Sequence, residues 1–141
     1  MTSPQLVARD FERGASVEGN IPLSLVALTA TGELVGTVSL DWEDLVNTAE
    51  EFEYQPWIIS LFVEESHQKK GVGKYLLDYC QRLVSVHGFK KVYLLSYEHN
   101  WKWYSGMEWL IQQERNYLDH PIRLYYKLAL PVLPVDDQSA L

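Results

Sequence analysis

Hydrophobic and polar positions change period along the chain, and those changes mark the elements. Leu23 to Thr29 and Leu34 to Leu40 are β-rich runs joined through Ala30-Thr31-Gly32-Glu33, a pattern that predicts a hairpin. Asp41 to Pro56 is a long polar connector, of a length that is usually functional or mobile. Trp57 to Val63 is a continuous apolar run and predicts a central strand. Leu76, Leu77, Cys80, Leu83 and Val84 then recur at helical spacing, which predicts a helix from Lys74 to about His87 with Gly88 as its stop. Lys91 to Ser96 predicts a further strand, and Asn100 to Ser105 a short helix. Trp109 to Arg115 and Arg123 to Leu130 predict an antiparallel pair turning through Leu118-Asp119-His120-Pro121. At the start, Ser3-Pro4 followed by Gln5 to Arg13 reads as a short capped helix, and Gly14 to Pro22 as loop. The expectation is an α/β fold with a mixed sheet, in one domain over residues 1–130. Residues 131–141 form a Pro-containing tail, expected to be disordered or loosely packed.

Composition narrows the classes of function. A chain of 141 residues, 47% apolar and 22% charged, has the size and balance of one globular domain. Apolar runs fall well short of the about 18–20 residues of a membrane span, and no signal-peptide pattern opens the chain. Cys80 is the single cysteine, so a disulfide framework is excluded, and its place on the apolar stripe makes it a buried thiol. These features predict a cytoplasmic protein without a membrane partner. The net charge of −7 argues against nucleic acid as a partner. His67, His87, His99 and His120 have no metal-ligand spacing, so no metal is expected.

The chemistry concentrates in Gln68-Lys69-Lys70-Gly71-Val72-Gly73-Lys74, between the apolar strand and the amphipathic helix. The first turn of a helix presents unpaired N–H groups and the positive end of the peptide dipoles. Glycines allow close approach of a bulky anion, so such a loop can cradle a phosphate. A basic turn before an amphipathic helix has the same local pattern. A Walker loop is excluded, because Gln68 stands where its first glycine belongs and Tyr75 where Ser or Thr belongs. The dinucleotide fingerprint is excluded by Leu76 at its third small position.

The pattern that fits is Q/R-x-x-G-x-G/A, filled by Gln68, Gly71 and Gly73, and it resembles the acyl-CoA pyrophosphate loop of the GCN5-related N-acetyltransferase (GNAT) superfamily. The resemblance runs from about residue 22 to 130. It includes the strand Trp57 to Val63, the connector Glu64-Glu65-Ser66-His67, the helix, the strand Lys91 to Ser96, and the segment Trp103-Tyr104-Ser105-Gly106-Met107-Glu108-Trp109. It implies a GNAT-like, mostly antiparallel sheet around a strand–CoA loop–helix–strand unit. It also implies that the strands flanking the loop splay apart to admit the pantetheine arm. The backbone of Leu61, Phe62 and Val63 would pair with that arm, Gln68, Lys69, Lys70, Gly71, Val72, Gly73 and Lys74 would hold the pyrophosphate, and Asn100 or its neighbour His99 would contact the pantetheine.

The implied reaction moves an acetyl group from acetyl-CoA to a primary amine, in a small molecule or a peptide, by direct attack on the thioester. Tyr104 matches the family's tyrosine and is the expected general acid toward the departing sulfur. Asp41, at the end of the second hairpin strand with Glu43 behind it, is the expected general base. The connector carries Asp41, Glu43, Asp44, Glu50, Glu51 and Glu53 without a Lys or Arg. That run either draws a cationic amine to the site or is simply a solvated loop. The chain departs from the family pattern in three places. Glu108 replaces the glycine before Trp109, the stretch Ser96 to Tyr104 is one residue longer, and only about twenty residues precede Leu23 where a strand and helix are usual. The short start implies an acceptor site that is more open than usual, one that a second subunit completes, or a chain that starts further upstream, and an exposed sheet edge favours a homodimer. The alternative is a catalytically degenerate member that binds acyl-CoA as a sensor or interaction module.

Overall fold

The apolar runs of the first half pair into the predicted hairpin: β2 (Leu23–Leu28) and β3 (Leu34–Asp41) are antiparallel, with Leu23 opposite Leu40 and Val26 opposite Thr37. The computed structural model describes residues 7–10, by backbone alone, and residues 21–130. The remaining strands are β1 (Val7–Asp10), β4 (Trp57–Val63), β5 (Lys91–Tyr97), β6 (Leu110–Tyr117) and β7 (His120–Leu128). They form a sheet of seven strands in the order β1-β2-β3-β4-β5-β7-β6. Among the described strands only β4 and β5 run parallel, because the loop and helix α1 (Val72–Val86) carry the chain back over the sheet between them.

The start of the chain corrects the sequence expectation. Val7–Asp10 is a strand, not helix, and pairs with Leu25–Leu28 of β2. Local propensity there is weak, and the open edge of β2 supplies a row of backbone partners that a helix would leave unused. The β2 edge is therefore paired from within the chain over Leu25–Leu28, and β1 is the outer strand on that side of the sheet. The rest of that expected helix and the loop at 14–20 lie outside the described residues, as does the tail from 131.

One face of the sheet packs on α1. Leu76, Leu77, Cys80 and Val84 of the helix stripe are buried against Leu25, Val38, Leu40, Ile58, Val92 and Leu94. Each large apolar side chain placed there contributes about 1.5–3 kcal/mol. The helix ends as expected: Gly88 takes φ +88, its N–H donates to the Ser85 carbonyl, and Phe89 N–H donates to the Val84 carbonyl. On the opposite face Trp57, Tyr93, Ile122 and Leu124 form a second core, roofed by Val46 and Tyr54 of the connector.

The connector is anchored by a charged cluster that its composition concealed. Glu51 is 1% exposed within a 3-10 turn, Ala49–Glu53. Its carboxylate accepts from Arg115 Nε at 2.7 Å, Arg115 Nη2 at 2.9 Å, Gln113 Nε2 at 2.8 Å and the Thr48 N–H at 3.1 Å. Arg115 also donates to the Val46 carbonyl at 2.7 Å, so β6 holds the connector across the sheet. The reading of this run as a solvated loop therefore fails at Glu51.

Candidate active site

The parallel pair β4–β5 is brief. Trp57 lies opposite Tyr93 and Ile58 opposite Leu94, and past these residues the strands separate. The cause lies in β4. Thr37 pairs with Phe62 but Ser39 with Ile59, so β4 carries one extra residue, and Ser60 sits at φ +56. A bulge bends its strand and ends local pairing. This one turns the end of β4 away from β5.

Two cavities lie along the resulting gap. The first, of about 420 Å³, opens beside the glycine loop between Leu61 and Val63 of β4 and Trp103 and Tyr104 of α2 (Trp101–Gly106). The second, of about 240 Å³, lies between the diverging strands, lined by Ile59, Leu95, Ser96, Tyr97 and Asp44 among others. Leu61, Asn100 and Tyr104 line both.

At the loop, Gly71 caps α1 with φ +88, a left-handed conformation that suits glycine, and nothing lies within 4 Å of where a Cβ would stand. Gly73 serves a different purpose: a Cβ there would meet the Trp103 ring at 3.0 Å. The loop is thus open at Gly71 and closely covered by an aromatic edge at Gly73. Lys69 is also left-handed, at φ +62, which the sequence did not disclose. Gln68 Nε2 donates to the Val63 carbonyl at 3.1 Å, tying the loop to the end of β4. Lys74 Nζ meets Asp78 at 2.7 Å, one helical turn along.

Tyr104 is positioned from β7. Tyr125 Oη, shared with Ser105 Oγ at 3.0 Å, donates to the Trp101 carbonyl at 3.2 Å and receives Arg123 Nη1 at 3.1 Å. The Arg123 guanidinium lies 4.1 Å from the centre of the Trp101 ring, whose N–H donates to the Ser96 carbonyl. The Tyr104 ring is buried against Trp103, Trp109 and Tyr125, with centroids 4.9, 6.2 and 5.7 Å away. Burial, reinforced by the neighbouring Tyr125, pushes its hydroxyl up to about 12.

The predicted site residues divide accordingly. Leu61, Val63, Gln68, Lys69, Gly71, Gly73, Lys74, Asn100 and Tyr104 are brought around the first cavity. Phe62 turns its side chain to solvent, Val72 is buried in the core, and Lys70 is outside that lining. Asp41 is not brought to the gap. It pairs with Trp57 at the closed end of β4, about 13 Å of strand from Leu61, and its Oδ1 accepts from the Trp42 N–H at 2.6 Å. Among the described residues the carboxylate that lines the gap is Asp44, three residues on, which sequence reasoning left within the charge run.

The family model described as Acetyltransferase (GNAT) family matches residues 4–109, most of the chain. The chain belongs to the GNAT acetyltransferase family. Among solved structures, an aminoglycoside 6'-N-acetyltransferase complexed with coenzyme A superposes on this GNAT chain with a TM-score of 0.68 at 16% identity, covering 91% of this chain and 99% of that one. A spermidine N-acetyltransferase from Vibrio cholerae, in complex with CoA and spermine, gives 0.65 at 16% identity over 89% and 96%. Ard1 from Thermoplasma volcanium gives 0.60 at 19% identity over 76% and 70%. A search of curated protein sequences found no match. The mixed, mostly antiparallel sheet is the GNAT fold these structures share. Glu108, the departure noted in the sequence, takes φ +69 and so keeps a left-handed turn at the place where the GNAT pattern has glycine.

Proposed function

We propose that the chain is an acetyl-CoA-dependent N-acetyltransferase that acts on a primary amine. The observation that carries this reading is that Leu61, Asn100 and Tyr104 line both cavities, the one beside the glycine loop and the one between β4 and β5. The loop residues Gln68 to Lys74, at the start of α1, suit a pyrophosphate, since N–H groups and the helix dipole point there. Past Ile58 the β5-facing backbone edge of β4 has no β5 ladder, which suits an extended amide-bearing arm that adds as a strand. The neighbouring structures complexed with CoA, spermine or both support this class of donor and of acceptor.

The residues then divide the reaction. The amine must lose a proton before its lone pair attacks the thioester carbonyl carbon. Backbone N–H groups at the splay can stabilise the charge that develops on the oxygen. Tyr104, protonated throughout the neutral range because its hydroxyl is raised, can donate to the sulfur as the C–S bond breaks.

A thiol-release assay with acetyl-CoA tests this, run on spermidine, an aminoglycoside and a glycyl peptide. Thiol release on at least one amine is expected, with kcat lowered about 100-fold by Tyr104→Phe and CoA binding unchanged. CoA binding without release on any amine would instead identify a binding module.

A further inference from the structure

We propose that Asp44 is the carboxylate that receives the substrate ammonium and its first proton, and that Arg115 is the residue that positions it. This deepens the acetyl-transfer reading and rests on it. Asp44 lines the cavity between β4 and β5, and that cavity shares Leu61, Asn100 and Tyr104 with the cavity beside the glycine loop. An amine held against Asp44 therefore lies on the path to a thioester beside Tyr104.

The carboxylate is held by its own backbone. Asp44 Oδ1 accepts from the Val46 N–H at 3.1 Å, and the Asp44 N–H donates to Asn47 Oδ1 at 2.7 Å. The Val46 carbonyl is in turn gripped by Arg115 Nη2 at 2.7 Å, and Arg115 is locked to the buried Glu51. Val46 thus links Asp44 to β6 through opposite ends of one residue. Charged and titratable neighbours are Arg115 on β6, Glu51 in the 3-10 turn, and Tyr97, His99 and Tyr104 along the cavity. Burial raises the Asp44 carboxyl, and Glu51 adds to the rise, while the Val46 and Leu45 N–H groups and Arg115 oppose it. The same desolvation lowers an ammonium, so the two protonation equilibria approach each other in this pocket.

The step balances. The ammonium gives one proton to Asp44, and the freed lone pair forms the C–N bond. The C–S bond breaks, and the second nitrogen proton passes to the sulfur by way of the Tyr104 hydroxyl, leaving amide and thiol. Asp44 then returns its proton to solvent.

The test uses the full chain and the fastest-reacting amine among spermidine, an aminoglycoside and a glycyl peptide. Asp44→Asn is expected to lower kcat/KM about 100-fold with CoA affinity unchanged. Arg115→Gln is expected to move the acid limb of the kcat/KM profile to higher pH, because a charge that favours the carboxylate is gone, and Arg115→Lys to leave the limb nearer its place. The profile is repeated with His99→Asn, because that imidazole lines the same cavity; persistence of the limb assigns it to Asp44. Full activity in Asp44→Asn, or a limb that disappears with His99, overturns the assignment but leaves acetyl transfer standing. A wild-type chain that binds CoA and acetylates none of the amines overturns both. Independently of turnover and of whether Arg115→Gln folds, a carbon-13 titration of the wild-type Asp44 carboxyl should read above that of an exposed aspartate; a titration at or below it contradicts the proposal.

Discussion

At the scale of single residues, backbone conformation explains several choices that side-chain chemistry does not. Glu108 stands at φ +69 after α2, where the Glu108 N–H donates to the Ser105 carbonyl and the Trp109 N–H to the Tyr104 carbonyl. A left-handed L-residue costs about 1–2 kcal/mol. Glu108→Gly is therefore expected to stabilise the fold by roughly 1 kcal/mol, part of the relief being offset by glycine's freedom when unfolded. A rise in the urea midpoint at unchanged slope checks this. The motif residues Gln68, Gly71, Gly73 and Tyr104 were legible in the sequence because each sits at a fixed offset from a recognisable strand or helix. Asp44 was not. Its distinction from Asp41 and Glu43 depends on where the connector crosses the sheet, which local sequence does not encode.

At the scale of elements, strongly periodic segments were readable and weakly periodic ones were not. The strand at 57–63 and the helix stripe from Leu76 to Val84 appear where their apolar periods place them. The N-terminal strand was misread because its pairing with β2 is a tertiary choice that overrides local propensity. The bulge at Ser60 was equally hidden, since the run Trp57 to Val63 looks uninterrupted as sequence. The connector owes its place to Glu51 and Arg115, whose side chains are 2% and 19% exposed. Burial alone would raise the Glu51 carboxyl, but Arg115 and the Thr48 N–H outweigh it, so its folded value lies below the ordinary one. The pair's contribution is then full above the unfolded carboxyl value of about 4.3 and is lost as pH falls through the lower folded value. Acid unfolding monitored by tryptophan fluorescence should show this loss in wild type, and Glu51→Gln should be less stable at pH 7 with a flatter dependence below pH about 4.3. Parallel acid curves for the two proteins would count against the cluster as the anchor.

Across the whole molecule, one irregularity organises the site. The bulge in β4 opens the parallel pair, the glycine loop and α1 close one side of the opening, and α2, fixed by Tyr125 and Arg123, places Tyr104 at its centre. The connector, fixed by Arg115, brings Asp44 from the opposite face. On the proposed reading, donor and acceptor would therefore enter from opposite sides of one sheet and meet where two strands part. Amide hydrogen exchange with and without CoA tests that arrangement most directly. Added CoA should slow exchange at Leu61 to Val63 and at Gly71 to Tyr75, and leave the β6–β7 turn unchanged. Protection confined to other strands, or none at saturating CoA, would contradict the gap between β4 and β5 as the acyl-CoA seat.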